Sequence, residues 1–143
     1  FVHNLFALPQ GETSNWFETF EPILYFLNEK IKVNELLRMK LNLYTNQNKK
    51  ITHGSHLDFA DANKKTKKGS TTSGLYPFNL RHAKKGINIA ILNFTTCNGA
   101  TKIGEKIYSS NENEALIFSN ELAHCGIVQT NTPTRIVLNI GWK

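Results

Sequence analysis

Sulfur is scarce in this sequence of 143 residues, which contains a single methionine, Met39, and two cysteines, Cys97 and Cys125. Two cysteines do not make a disulfide scaffold, and "FVHNLFALPQG" (residues 1–11) lacks the basic start and sustained apolar stretch of a secretory signal. A reducing, cytoplasmic setting is therefore expected. With its only methionine at position 39, the chain is expected to be a fragment and not to begin at a natural start. No apolar run approaches the roughly 18 residues of a membrane span, so no membrane partner is expected. No internal repeat is present, which excludes solenoids and propellers. Acidic residues are the minority charge, 11 against 17 Lys and Arg, for a formal net charge of +6.

What is there fits one ordinary globular domain, with 40% apolar and 20% charged residues. Much of the positive charge sits in "NKKTKKGSTTSG" (63–74) and "RHAKK" (81–85). Such clusters can attract nucleic acid, but no aromatic platform accompanies these lysines. The basic loop 62–75 is expected to be a solvated segment, serving as a lid or as a binding patch.

Residues 13–30, "TSNWFETFEPILYFLNEK", place Trp16, Phe17, Phe20, Ile23, Leu24 and Leu27 at helical spacing. Thr13 or Ser14 is the expected cap, and Pro22 predicts two short helices or a kink. The period then changes to two. In "LLRMKLNLYT" (36–45), Leu37, Met39, Leu41 and Leu43 share one face, and Arg38, Lys40, Asn42 and Tyr44 the other. "TRIVLNIGW" (134–142) sets Ile136, Leu138, Ile140 and Trp142 against Arg135, Val137, Asn139 and Gly141. Both strands predict an aliphatic face under the helix and a polar face lining a cavity. "GINIAILNF" (86–94) is apolar on both faces, as in a buried strand. "TKIGEKIYS" (101–109) and "EALIFS" (114–119) read as further short strands, and "TTCNGA" (95–100) reads as a turn. One helix followed by many short strands predicts a sandwich or barrel with the helix on one sheet. Residues 1–35 would form a helical support and 36–143 the β core of one catalytic domain, 1–143.

"ITHGSHLDFAD" (51–61) is rich in groups that bind metals or move protons: His53, His56, Asp58 and Asp61. On a strand, residues two apart share a face, which pairs His56 with Asp58 and turns His53 away. His53 and Asp61 are then rim residues. A third ligand must come from elsewhere. His3 lies near the start and His82 in the basic segment, which favours His124 on a later strand. Two histidines and one carboxylate leave part of an ion's coordination open, the facial arrangement of non-haem Fe(II) oxygenases. A zinc site from His53, His56 and an aspartate is the alternative, without cysteine support. Arg135 follows His124 and offers a guanidinium fork for a carboxylate. Cys125 adjoins the site without an evident base and reads as a small buried residue.

The order H-x-D (His56-Leu57-Asp58), His124, Arg135 resembles the iron(II)/2-oxoglutarate-dependent dioxygenases, above all the prolyl-hydroxylase-like branch with its small phage and marine microbial members. The likeness spans roughly residues 36–143. It includes "LNLYTNQNKKITHGSHLDF", "INIAILNFTTCNGATKIG", where Gly99-Ala100-Thr101 stands in place of that branch's double-glycine turn, and "NEALIFSNELAHCGIVQTNTPTRIVLNIGW". It implies a mainly β fold, a double-stranded β-helix (jelly-roll) with an N-terminal helix packed on one sheet. It implies Fe(II) bound by His56, Asp58 and His124, with 2-oxoglutarate and dioxygen as cosubstrates. Arg135 would hold the distal carboxylate of 2-oxoglutarate, with Tyr44 and Asn139 in the same cavity. Val137 stands where many members have a serine two after the arginine. The implied activity is hydroxylation of an unidentified protein, peptide or small-molecule substrate, with peptidyl proline the branch's commonest target. Asp58 fills the position that chloride uses in related halogenases, which favours hydroxylation. Two other readings are a non-catalytic metal- or anion-binding jelly-roll module and a nucleic-acid demethylase of the same superfamily.

Overall fold

A computed structural model describes residues 1–8, 11–60 and 84–143. The basic loop 62–75, Asp61 and His82 lie outside the described residues. The elements are β1 (Val2–Ala7), β2 (Glu12–Thr13), α1 (Phe17–Lys30), β3 (Leu36–Thr45), β4 (Asn88–Asn93), β5 (Cys97–Ile103), β6 (Lys106–Ser110), β7 (Ala115–Ser119), β8 (His124–Ile127) and β9 (Thr134–Trp142). They form two antiparallel sheets, ordered β2-β1-β3-β9-β4-β7 and β6-β5-β8. Isolated bridges Thr52↔Ile127 and His56↔His124 add residues 52–56 to the free edge of β8. The protein is mainly β, with one helix among the described residues.

The period-two strands form as their patterns predict, and their two faces meet different partners. Leu138, Ile140 and Trp142 of β9 join Leu5, Met39 and Ala90 in a cluster covered by Phe17, Phe20, Ile23 and Leu24 of α1. The helix thus lies on the outer face of the larger sheet. On the other face, Val137 of β9 packs with Ile89, Ile91 and Phe118, and with Tyr44 of β3. β4 contributes to both clusters through Ala90 on one side and Ile89 and Ile91 on the other, which is why the centre of its sequence is apolar on both faces.

Several local expectations change. Leu37 joins the inner cluster rather than its alternation partners Met39 and Leu41. The β3–β9 register slips between Leu36 and Arg38, and a bulge there resets the parity. The helix is a single segment through Pro22. The ring removes one backbone bond, and apolar burial on the sheet outweighs that local loss. Thr13 lies in β2, while the helix N-cap is Trp16, which lacks a side-chain cap and is exposed. Ser14 accepts a 3.2 Å hydrogen bond from the Trp16 backbone N–H. Residues 1–35 are not all helical, because β1 pairs along β3 and carries Leu5 into the outer core. "TKIGEKIYS" is a hairpin: β5 and β6 turn at Gly104, whose φ of +55° suits glycine. "TTCNGA" is not a free turn, since Cys97 to Ala100 belong to β5.

Candidate metal centre

His56 and His124 are tied through their backbones, each N–H donating to the other's carbonyl at 3.0 Å. This places their rings 4.7 Å apart, centre to centre. Leu57 is buried, and the chain bends at Asp58, returning its carboxylate to the histidines. His56 and Asp58 therefore converge through a bridge followed by a bend, not through the continuous strand that the H-x-D spacing suggested. One donor atom from each of His56, Asp58 and His124 lies within 4.8 Å of the others.

Asp58 is held from both sides. Its Oδ2 accepts from Asn139 Nδ2 at 2.8 Å and lies 3.4 Å from His124 Nε2. Its Oδ1 accepts from Lys40 Nζ at 3.1 Å and from Arg38 Nη2. Arg38 Nη1 also donates to the Asp58 carbonyl at 3.3 Å, and the guanidinium lies 4.6 Å from the centre of the Phe59 ring. Burial by itself would raise the Asp58 pKa, but the His124 hydrogen bond and the charges of Lys40 and Arg38 hold it well below the usual carboxylate range.

Asn120, fully buried after β7, fixes the next residue. Its Oδ1 accepts from Phe59 N at 3.0 Å, and its Nδ2 donates to Phe59 O at 2.8 Å and to Lys84 O at 3.1 Å. Asn120→Ala leaves these buried backbone groups unpaired and is expected to lower unfolding free energy by about 1–3 kcal/mol, measured by urea denaturation. An unchanged midpoint would remove Asn120 from the support of the site.

The donor set fits a divalent ion. His56 Nδ1 lies 3.2 Å from the Gly54 carbonyl, an acceptor only, so Nδ1 carries the proton and Nε2 presents its lone pair. Burial, followed by the nearby His124, lowers the His56 pKa and favours the neutral ring that a metal requires. His124 Nδ1 is buried without a partner among the described residues, so this ring is only half satisfied by protein contacts. A buried, unpaired ring nitrogen is compatible with a bound ion.

Arg135 stands on the same inner face of β9, 1% exposed. It donates from Nε to Ser110 Oγ at 3.1 Å, from Nη1 to Ala100 O at 3.0 Å, and from Nη2 to Thr101 Oγ1 at 2.9 Å and Asn93 Oδ1 at 3.2 Å. No carboxylate among the described residues lies within ion-pair distance of it. Burial without a counter-charge lowers its pKa from the ordinary arginine value. Two glycines of the smaller sheet make room here. A Cβ on Gly99 would sit 3.0 Å from Arg135 Cδ, and one on Gly126 would sit 3.0 Å from Tyr44 Oη. The Tyr44 ring centre lies 5.4 Å from the Arg135 guanidinium, and burial raises its pKa. Gly99 thus belongs to an irregular part of β5, at the register slip between Cys97 and Ala100.

The other sequence candidates lie apart. His53 is exposed, with its ring centre 5.6 Å from that of Tyr44. It lines an open cleft of about 430 Å³ with Asn42, Tyr44, Gln47, Ile51 and Val128. His3 is exposed and bonds Ser14 at 2.8 Å. Cys125 is buried, and burial pushes its thiol up, away from reactivity. The sequence assigned no role at the site to Arg38, Lys40 or Asn120. The first two shared the polar face of β3 with Tyr44, the one available signal. Asn120 offered none.

No protein-family model matches the sequence, and no curated protein matches it either. Solved structures do. A cupin protein from Bacteroides fragilis is 9% identical, covering 82% of this chain and 73% of its own, at a TM-score of 0.46. The viral collagen prolyl hydroxylase of Paramecium bursaria Chlorella virus-1 is 10% identical, covering 99% of this chain and 72% of its own, at a TM-score of 0.55. At these identities the similarity is one of fold. Among the described residues no helix is long and apolar enough to cross a membrane.

Proposed function

We propose that this protein is a non-haem Fe(II) oxygenase that couples oxidative decarboxylation of 2-oxoglutarate to hydroxylation of a substrate. The observation that carries the reading is one inner face holding two unlike features. His56, Asp58 and His124 converge on a point, and the fully buried Arg135 has no anionic partner among the described residues. The fold shared with viral collagen prolyl hydroxylase supports it. In this reading β3, β9, β4 and β7 are one wall of a double-stranded β-helix, and residues 52–56, β8, β5 and β6 are the other.

His56 Nε2, Asp58 and one nitrogen of His124 would hold the iron, leaving the rest of its coordination to cosubstrates. The bound iron and 2-oxoglutarate supply the oxidation of an unactivated C–H bond. Arg135 binds the distal carboxylate, a buried guanidinium that an anion neutralises. Gly99 and Gly126 keep Arg135 and Tyr44 seated so that the carboxylate meets fixed donors. Asn139 gives its amide N–H to Asp58 and orients that ligand. Peptidyl proline is the first substrate to test.

Addition of 2-oxoglutarate to the Fe(II)-loaded protein under anaerobic conditions is expected to give a weak visible charge-transfer band. With air, succinate should form. A wild-type protein that gives neither does not have this function. A second reading is a non-catalytic anion-binding module. It is favoured by the four donors from side chains that already balance the Asp58 carboxylate. Binding of 2-oxoglutarate without any metal requirement would select it.

A further inference from the structure

Arg38 and Lys40 give the site more positive charge than metal binding and 2-oxoglutarate need. Both meet Asp58, the only carboxylate within ion-pair distance of either among the described residues. A divalent ion on Asp58 draws on the same carboxylate and repels both cations, since charges a few ångströms apart interact strongly in a partly buried site. 2-Oxoglutarate, with two negative charges, is used by the metal and Arg135. The two cations of β3 are then left to share Asp58 with the metal, with no other carboxylate among the described residues within ion-pair distance.

Both have capacity to spare. Lys40 uses one of its three ammonium hydrogens in the contacts described, and Arg38 Nε is buried with no partner among the described residues. Their side chains are 15% and 21% exposed, so both keep contact with solvent, unlike Arg135. Asn120 clamps the Phe59 backbone, and the Phe59 ring lies under the Arg38 guanidinium. Lys40 is the more adaptable donor.

We infer that Arg38 and Lys40 form a substrate subsite beside the metal that takes a carboxylate, so the substrate of this oxygenase is an acid. The inference rests on the oxygenase reading and narrows its substrate class. Lys40 is the specificity residue: it donates to the substrate carboxylate and restores the charge balance that metal binding removes from Asp58. The carboxylate could belong to a small acid or to an acidic side chain in a peptide.

The test is calorimetric titration of the Mn(II)-loaded protein, with and without 2-oxoglutarate, using two matched pairs. N-acetyl-L-proline is compared with N-acetyl-L-prolinamide, and acetyl-Pro-Glu-amide with acetyl-Pro-Gln-amide. At least one acid is expected to bind about 10-fold or more tightly than its neutral isostere. The pair that shows this preference identifies the source of the carboxylate. The preference should vanish in Lys40→Met and persist in Lys40→Arg, each first shown by thermal unfolding to be folded. Equal affinities within both pairs, or a preference that survives Lys40→Met, would overturn the subsite. A lysine that only positions Asp58 would alter Mn(II) binding and leave the acid-to-amide ratio unchanged, which also counts against it. The 2-oxoglutarate titration comes first, so failure of the oxygenase reading is seen separately from failure of the Lys40 subsite.

Discussion

Arg135→Ala is expected to weaken 2-oxoglutarate binding by about 2–5 kcal/mol, from roughly 30-fold to several thousand-fold, the usual cost of truncating one member of a buried charge pair. The reason lies in what surrounds the guanidinium. Its neighbours Ser110, Ala100, Thr101 and Asn93 are all neutral acceptors. They fix its plane and supply no charge, so the protein bears the desolvation cost of a buried cation. A ligand carboxylate offsets that cost, and the offset appears as affinity. Alanine also strands the polar partners, and a stability loss of about 1–3 kcal/mol should accompany the binding defect. Arg135→Lys separates the two effects, because it keeps the charge and loses the fork. Its 2-oxoglutarate affinity should fall between wild type and Arg135→Ala. Titration of the charge-transfer band reads the binding, and urea denaturation reads the stability. A folded Arg135→Ala protein that binds 2-oxoglutarate like wild type would refute the assignment.

Asp58→Ala should abolish tight metal binding and also destabilise the metal-free protein by about 3 kcal/mol. Breaking a buried ion pair costs about 3–5 kcal/mol because the remaining charge is uncompensated, and the partial exposure of Arg38 and Lys40 puts this case at the low end. Adding Lys40→Met to Asp58→Ala should recover part of the loss, since it removes one stranded cation. If the double variant is less stable than the sum of the single variants predicts, repulsion between the stranded cations is not the cause. The pH dependence has a definite sign. The folded-state pKa of Asp58 lies below its unfolded value, so its contribution is fully present above the ordinary carboxylate range, near pH 4, and is lost as pH falls towards the folded value.

The elements that could be read from sequence are those whose partners are implied by their own periodicity. β3 and β9 each display two chemically different faces, and α1 displays an apolar stripe of matching size. β4 is apolar on both sides because it is covered on both sides. β1 and β8 could not be read in this way. "HCGI" is too short to show a period, and β1 exists because β3 offers it an edge, which is a long-range fact. The bulge at Leu37 was hidden for a similar reason. A slip of register is decided by pairing with Trp142 and Gly141, not by the residues around the slip.

Sequence alone supplied the residue types of the candidate site and their order: a histidine and an aspartate two apart, a distant histidine, and an arginine after it. It also determined that β3 and β9 would turn polar side chains to a shared side, because alternation is a property of the strand. Which groups meet follows from the three-dimensional pairing of distant segments. His56 reaches His124 through a backbone bridge between segments far apart in sequence, and Asp58 arrives by a bend. Arg38 and Lys40 become part of the site because β3 runs past Asp58. Arg135 has no acid beside it among the described residues, because the groups that bond it there are neutral. Local pattern fixes which way a side chain points. Charge balance and desolvation are sums over neighbours, and those neighbours are assembled only when residues of both sheets come into contact.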